Sequence, residues 1–414
     1  MKKLIALLLA AVLLLTGCAG KVIPGEDLMK GVKPSHQGGL VKVEKYDNQL
    51  YDGPAWDNTL IAEFGLRLFR ETMTEGENTL VSPMSVMSAL AMTANGAEGN
   101  TRTQMEEVLG QSVDALNNWY QYGTVYEDAI FHQANGIWFK DDPNLVVEES
   151  FLQKNADYFG AGIYQAPFDN TTLKEINRFV EENTDGMIKD ILSEIPESAL
   201  MYLVNALSFE AEWEETYDRA HDAIFTTEEG EKQAAELMYS EESIYLEDSL
   251  ATGFLKYYKN DRYAFLAMLP NEGVTVEEYV RSLDGASLRG LITNLQKTPV
   301  SAAIPKFQTE YDVDMVEVLK TMGMTDAFDP NTADFSRMGT SSTGNIYLSQ
   351  VIHKTFINVA EKGTKAGAAT AVAMTEGAAE VKREIVTLDR PFFYMILDMQ
   401  SNTPIFMGTL MRMA

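Results

Sequence analysis

Cysteine is nearly missing: the 414 residues contain one, so no disulfide can close within the chain. Histidine is scarce as well, with four, and the two counts together leave little material for a metal site. Positive charge is in deficit, with 33 Lys plus Arg against 61 Asp plus Glu and a formal net charge of -28. Such a chain repels phosphate backbones, so no nucleic-acid partner is expected. Its surface favours solubility and cationic partners at long range, less so in salt. No apolar run reaches the ~20 residues that a membrane-spanning helix needs. With 45% hydrophobic and 23% charged residues, the composition excludes both a disordered chain and a multi-span membrane protein. Catalytic signatures are missing too: there is no HExxH, no paired CxxC and no GxxxxGK[ST] phosphate loop. Gly339-Thr340-Ser341-Ser342-Thr343-Gly344 is Gly- and Ser-rich but lacks the phosphate-binding Lys and the GxSxG spacing, and reads as a loop. A Ser–His–Asp triad stays formally open, although His36 lies in the N-terminal stretch. Acidic clusters such as Glu228-Glu229-Gly230-Glu231 and Glu241-Glu242 read as solvated faces. These absences weigh against an enzyme, and no cofactor or metal is expected.

What is present begins with an export signal. Met1, Lys2 and Lys3 precede an apolar run from Leu4 to Leu15, too short to span a bilayer. The run ends in Leu15-Thr16-Gly17-Cys18, which resembles the bacterial lipoprotein signal, in which the Cys receives lipid and becomes the new N-terminus. Residues 1–17 are read as signal peptide and Cys18 as the lipidation site. The product is expected outside the cytoplasm, held on a membrane by its acyl chains. Residues 18–55 are rich in Gly, Lys, Pro and Asp and read as a tether, with Gly39–Val43 and Leu50–Tyr51 as stretches able to pack on the domain edge.

From residue 56 to 414 one large domain is expected. Leu60, Phe64, Leu68 and Phe69 recur at helical spacing. Ser82-Pro83-Met84-Ser85 has the form of a helix start, with Ser as cap and Pro in the first turn. Thr101 to Leu109, Lys174 to Leu192 and Val313 to Met322 read as further helices. Ala134–Phe139, Tyr263–Leu269, Tyr347–Val359, Phe392–Asp398 and Ile405–Leu410 read as strands. The apolar run Met201–Phe209 reads as a strand buried on both faces. There is no internal repeat, and the mixture indicates an α+β domain.

Residues 361–380, EKGTKAGAATAVAMTEGAAE, have little to anchor them in a core. A flexible linker and an Ala-rich helix are both open readings. Strand alternation gives a third. One face would carry Thr364, Ala366, Ala368, Thr370, Val372 and Met374, all uncharged and increasingly apolar. The other would carry Lys365, Gly367, Ala369, Ala371, Ala373 and Thr375. Such a segment can lie exposed, yet can also enter a sheet without burying a charge.

With its surroundings this segment resembles the serpin family, over essentially all of residues 57 to 413. The similarity is carried by Ser82-Pro83-Met84-Ser85, Gly96-Ala97, Gly99-Asn100-Thr101, Ala134-Asn135, Ile176-Asn177 and Thr184-Asp185-Gly186. It continues through Leu203-Val204-Asn205-Ala206, Trp213, Pro305-Lys306-Phe307, Ala333-Asp334-Phe335-Ser336, His353-Lys354, Glu361-Lys362-Gly363-Thr364, Arg390-Pro391-Phe392 and Phe406-Met407-Gly408. Each is weak; their order and spacing are specific.

The resemblance implies three β-sheets, about nine helices and an exposed reactive loop at about 361–388. A protease attacks the loop and forms an acyl-enzyme. The cleaved loop then inserts into the main sheet before water can release the protease. Glu361, Gly363, Thr364, Ala366, Gly367, Ala368, Ala369 and Thr370 match the hinge of the inhibitory members, where small uncharged residues ease entry. Lys365 stands where an acidic residue is usual, and Ala360 where Asn is common. Counting from Gly363 sets the scissile bond at Gly377–Ala378, within the window Glu376–Ala379. A small residue there suits an elastase-like or subtilisin-like serine protease. Ser82, Ser85, Asn205 and His353 match a hydrogen-bond network where the sheet opens, and Trp213 the site of loop entry. The implied partner is a serine protease held covalently by a monomeric serpin. A cysteine-protease target and a non-inhibitory binding role are the alternatives.

Overall fold

The computed structural model describes residues 25–35, 58–123, 131–196, 199–259, 261–342, 344–364 and 383–413. Cys18, Gly39–Val43, Leu50–Tyr51, Ala366 to Thr370 and the bond Gly377–Ala378 lie outside the described residues.

Helical periodicity in the first half becomes a layer of helices. Helix α1 (Asn58–Thr72) buries Phe64, Leu68 and Phe69. Ser82 caps α2 (Pro83–Ala94): its side chain accepts from the Ser85 N–H, and Pro83 occupies the first turn. All twelve residues of α2 are buried, so this helix is the spine of the core and not a surface element. Helices α3 (Gly99–Leu109), α4 (Val113–Gly123) and α5 (Glu149–Tyr158) follow. Helix α6 (Asn170–Asn183) comes next, then α7 (Val276–Ser282), α8 (Gly285–Thr293) and α9 (Val316–Met322).

Three sheets complete the described residues. The eight strands of the first are β1 (Glu26–Asp27), β2 (Phe131–Lys140), β3 (Gly162–Ala166), β4 (Met201–Phe209), β5 (Ala211–Glu212), β6 (Phe307–Asp314), β7 (Gln350–Ala360) and β8 (Gly363–Thr364). Their order is β1-β3-β2-β4-β7-β8-β5, with β6 also paired to β7. A second, nine-stranded sheet contains Tyr263–Pro270, Phe392–Asp398 and Thr403–Leu410; a third joins Gly339–Thr340 to Val146–Val147. The fold is thus α+β, with nine α-helices and three sheets among the described residues. Strand β4 is buried at all nine positions because both its faces are covered. Aromatic residues from the second sheet, including Phe265 and Tyr394, pack with Phe209 on one side. On the other, Ile176 and Val180 of α6 pack on Tyr202, Val204 and Ala206.

Several elements differ from the sequence reading, among them two helices and the tether. The Lys174–Leu192 helix instead runs Asn170–Asn183. It begins early because Asp169 Oδ1 accepts from the N–H groups of Thr171 and Thr172, at 2.7 and 3.2 Å. It stops because Gly186, at φ 70°, turns the chain and donates to Glu181 O at 2.8 Å. The Val313–Met322 helix begins only at Val316, because the preceding alternating residues continue β6 to Asp314. Part of the expected tether is built into the domain. Glu26 and Asp27 pair with Gln165 and Tyr164, extending the first sheet by an edge strand. The Gly25 N–H donates to the Glu175 carboxylate, and Ser35 bonds to Asp157 through its N–H and Oγ. Leu28 and Met29 pack against the core.

Candidate functional site

The seam between β4 and β7 is parallel, with seven paired positions from Tyr202–Gln350 to Ser208–Phe356. Parallel pairing is slightly weaker per residue than antiparallel pairing. At the head of this seam the chain turns through Glu361-Lys362 and returns as β8. Gly363 and Thr364 pair antiparallel with Ala360 and Val359 on one side, and with Glu212 and Ala211 on the other. Two of the residues expected to form a hinge, Gly363 and Thr364, are therefore already a strand between β7 and β5. Glycine is required at 363 by close approach: a Cβ there would lie 2.0 Å from Ala211 O. Thr364 is fully buried, and its Oγ1 meets the Tyr258 hydroxyl at 2.8 Å.

Trp213 walls this entry. Its Nε1 donates to Ala360 O at 2.9 Å and its backbone N–H to Lys362 O at 2.8 Å. Its ring stacks on Tyr258, with centroids 4.3 Å apart and planes at 16°. Lys256, only 2% exposed in its side chain, bonds Glu242 at 2.8 Å and lies 4.5 Å from the Tyr217 ring centroid. Burial pushes the Tyr217 and Tyr258 hydroxyl pKa values up, so both stay neutral. Glu361 anchors the turn through Lys306 at 3.0 Å. Partial burial opposes its ionisation, but its own backbone N–H and Lys306 outweigh that and hold it below the ordinary carboxylate value.

Further down the seam, Asn205 of β4 and His353 of β7 are directly paired. His353 Nδ1 and Asn205 Oδ1 lie 2.8 Å apart across the seam. Asn205 Oδ1 also accepts from Ser85 Oγ at 2.7 Å, and Asn205 Nδ2 donates to Ser85 O and to Asn135 Oδ1. The Ser82 N–H donates to His353 Nε2 at 3.1 Å, and Ser82 Oγ to Ile405 O at 2.8 Å. Since Nε2 accepts, the ring proton sits on Nδ1 and points at Asn205: the network selects the tautomer. The ring is fully buried, and desolvation drives its pKa down to about 3. Both nitrogens of this neutral imidazole are taken up in structural hydrogen bonds, and the ring acts as a latch. The cap of α2 thus bolts both seam strands to the helix beneath them.

Ser82, Ser85, Asn205 and His353 therefore form one cluster, and Trp213, Glu361, Gly363 and Thr364 a second at the head of the same seam. Asn135, Tyr258, Lys256 and Lys306 belong to these clusters without a functional reading from the sequence. Asn135 and Lys306 stand within quoted motifs, whereas Tyr258, in Lys256-Tyr257-Tyr258-Lys259, carries no local signal. The loop's C-terminal side is also shorter than the 361–388 span. Glu384–Thr387 is a strand paired parallel to Val300–Ala303 of the second sheet.

The family model described as serpin (serine protease inhibitor) matches residues 59–413. The chain belongs to the serpin family. It is 32% identical over 373 residues to an uncharacterized serpin-like protein of Thermococcus kodakarensis, covering 85% of this chain and 84% of that one. Among solved serpins it is similar to the thermophilic serpin tengpin in the native state, with a TM-score of 0.86 and 41% identity over 94% of this chain and 100% of that one. Against tengpin in the latent state the TM-score is 0.75 at 42% identity, covering 88% and 100%. In this serpin β4 and β7 are paired directly along the seam.

Proposed function

We propose that this serpin inhibits serine endopeptidases as a suicide substrate, trapping them through insertion of its cleaved loop between β4 and β7. The observation that carries this reading is β8: the hinge is already seated at the head of the seam, antiparallel to the strand it would follow. Continuing the Thr364–Val359 register pairs Ala366, Ala368, Thr370 and Val372 with Ile357, Thr355, His353 and Val351. Those four β7 residues are fully or almost fully buried. The uncharged face of the loop would therefore enter the core side. Lys365 would stand opposite Asn358, which is half-exposed, so its charge would stay outside. Insertion would replace one parallel interface by two antiparallel ones.

In this mechanism the protease nucleophile attacks the Gly377 carbonyl, and the amine of Ala378 leaves. The same register brings Thr375 to Gly377 opposite Leu348 to Ile346. There a cavity of about 540 Å³ opens at the foot of the seam, lined in part by Leu200, Met201, Ile346 and Tyr347. The expected targets have shallow specificity pockets, elastase-like or subtilisin-like. The test mixes protein lacking residues 1–17 with such a protease. A boiling-resistant band at the summed mass, with mass-spectrometric cleavage after Gly377, supports the reading. Cleaved serpin with fully active protease, across several serine proteases, overturns it.

A lipid anchor at Cys18, displaying the domain outside the cytoplasm, is part of the same proposal. With residue 25 docked on the sheet edge, the seven residues 18–24 reach at most about 25 Å. The domain would sit close to the membrane. Metabolic labelling with a radioactive fatty acid, lost on Cys18→Ser, tests it.

A further inference from the structure

Beside β8, where Glu210 directly precedes Ala211, the partner of Thr364, three ligating side chains converge at the upper end of β2 and β4. His132 lies on β2 and is paired with Ser208 of β4. Glu210 follows two residues on, and side chains two apart along an extended chain share a face. Diagonal neighbours of this kind lie within reach of long side chains. Ser208 shows which face this is: its Oγ donates to Thr184 O, in the turn that ends α6. Asp185 is the next residue, held at φ 49°. The ligand atoms of His132, Asp185 and Glu210 all lie within 4.8 Å of one another. Among the described residues Asp185 forms no ion pair with Lys or Arg, so a second carboxylate approaches the imidazole without a cation of its own.

From this geometry we infer that His132, Asp185 and Glu210 form a site for a divalent transition metal of the zinc type, which clamps the end of α6 to the first sheet. One imidazole nitrogen and two carboxylate oxygens are ligand types that zinc accepts, and three protein ligands are the number its open sites use. A tetrahedral ion about 2 Å from each ligand needs ligand atoms roughly 3.3 Å apart. His132 and Glu210 are half-exposed and Asp185 exposed, so side-chain rotation would have to close the remaining gap.

The clamp matters because of where the chain goes next. After α6 it crosses the seam: Thr184 is bonded to Ser208 on β4, and Asp190 O accepts from Lys354 Nζ on β7 at 3.0 Å. Ile188 and Ile191 pack between, against Val204, Ala206 and Ile352. A strand inserted between β4 and β7 would part them by about 4.8 Å, and this strap has to release one end. A metal at Asp185 secures the β4 end, so opening of the seam would have to release the Lys354–Asp190 end. That consequence rests on the insertion reading; the metal site itself does not.

Cobalt(II) is the spectroscopic probe and zinc the stabilising one, on intact protein without protease. Cobalt should give visible d–d absorption, and zinc should raise the melting temperature of the uncleaved form. His132→Ala and Glu210→Gln should each weaken binding by more than the roughly 10- to 100-fold expected for loss of an outer-shell partner. Both should abolish the thermal shift, whereas His221→Ala, on a distant strand of the second sheet, should change neither readout. Absence of the cobalt band, or a band that survives His132→Ala, overturns the site. A band without a thermal shift overturns the clamp. Neither result bears on whether a protease is trapped.

Discussion

The latch makes a quantitative prediction about acid. His353 is neutral in the folded protein because its Nε2 accepts from Ser82 N–H; a proton there would set two donors against each other at 3.1 Å. Burial lowers the pKa from 6.5 to about 3. Below pH 6.5 the unfolded chain therefore binds a proton that the native ring refuses. Stability falls as pH drops from 6.5 toward 3 and is fully retained above 6.5. Between pH 7.5 and 5.0 the loss from this one group is about 2 kcal/mol, which corresponds to roughly a 30-fold change in an equilibrium constant. Asp312, Asp314 and Asp398 work in the opposite direction, since burial raises their pKa values and acid relieves that cost. A His353→Asn variant keeps those groups and removes the ring. It should be less stable at pH 7.5, by about 1–3 kcal/mol, because Ser82 N–H loses its buried acceptor. Its further loss on going to pH 5.0 should be about 2 kcal/mol smaller than that of the natural protein. The assay is urea-induced unfolding followed by near-UV circular dichroism at both pH values. A native state that unfolds irreversibly is compared by unfolding rate instead. Equal pH dependence in the two proteins would refute the reasoning, because the ring would then not be held neutral by the fold.

The hinge supplies the other predictions. Thr364→Arg places an unpaired charge where the side chain is fully buried. It should convert the protein from inhibitor to substrate, read as loss of the covalent band with cleavage intact. Gly363→Ala drives a Cβ into Ala211 O and should expel β8 from the sheet. The cost is about 1–3 kcal/mol in melting experiments, with faster proteolysis of the Glu361–Thr364 segment; an unchanged melting temperature would count against the seated hinge. Tyr258→Phe removes the hydroxyl partner of Thr364 Oγ1 and should cost about 1–3 kcal/mol. The double variant with Thr364→Val should recover most of that loss, and no recovery would mean the two groups are uncoupled.

Much of this was legible locally. The Ser82 cap and Pro83 announce α2, and the apolar run Met201–Phe209 announces a strand covered on both faces, because capping and burial act on neighbouring residues. The two-faced alternation of residues 364–374 is likewise readable without knowing its partner, since side-chain direction in a strand depends only on parity. The helix limits lie at 170–183 because the Asp169 cap starts the helix ahead of the apolar period and Gly186 ends it before that period runs out.

What the sequence by itself determined, then, is the set of elements, the family and the faces that each segment offers. The tertiary structure alone decided which faces meet. It joined Asn205 to His353, 148 positions apart, and so selected the imidazole tautomer. It put Tyr258 under Thr364, docked residues 25–35 on the sheet edge, and gathered His132, Asp185 and Glu210 from three separate segments. Each of these contacts costs chain entropy that only the packed core can offset, so no local pattern encodes them; the Asn205–His353 network was foreseen only through the family resemblance.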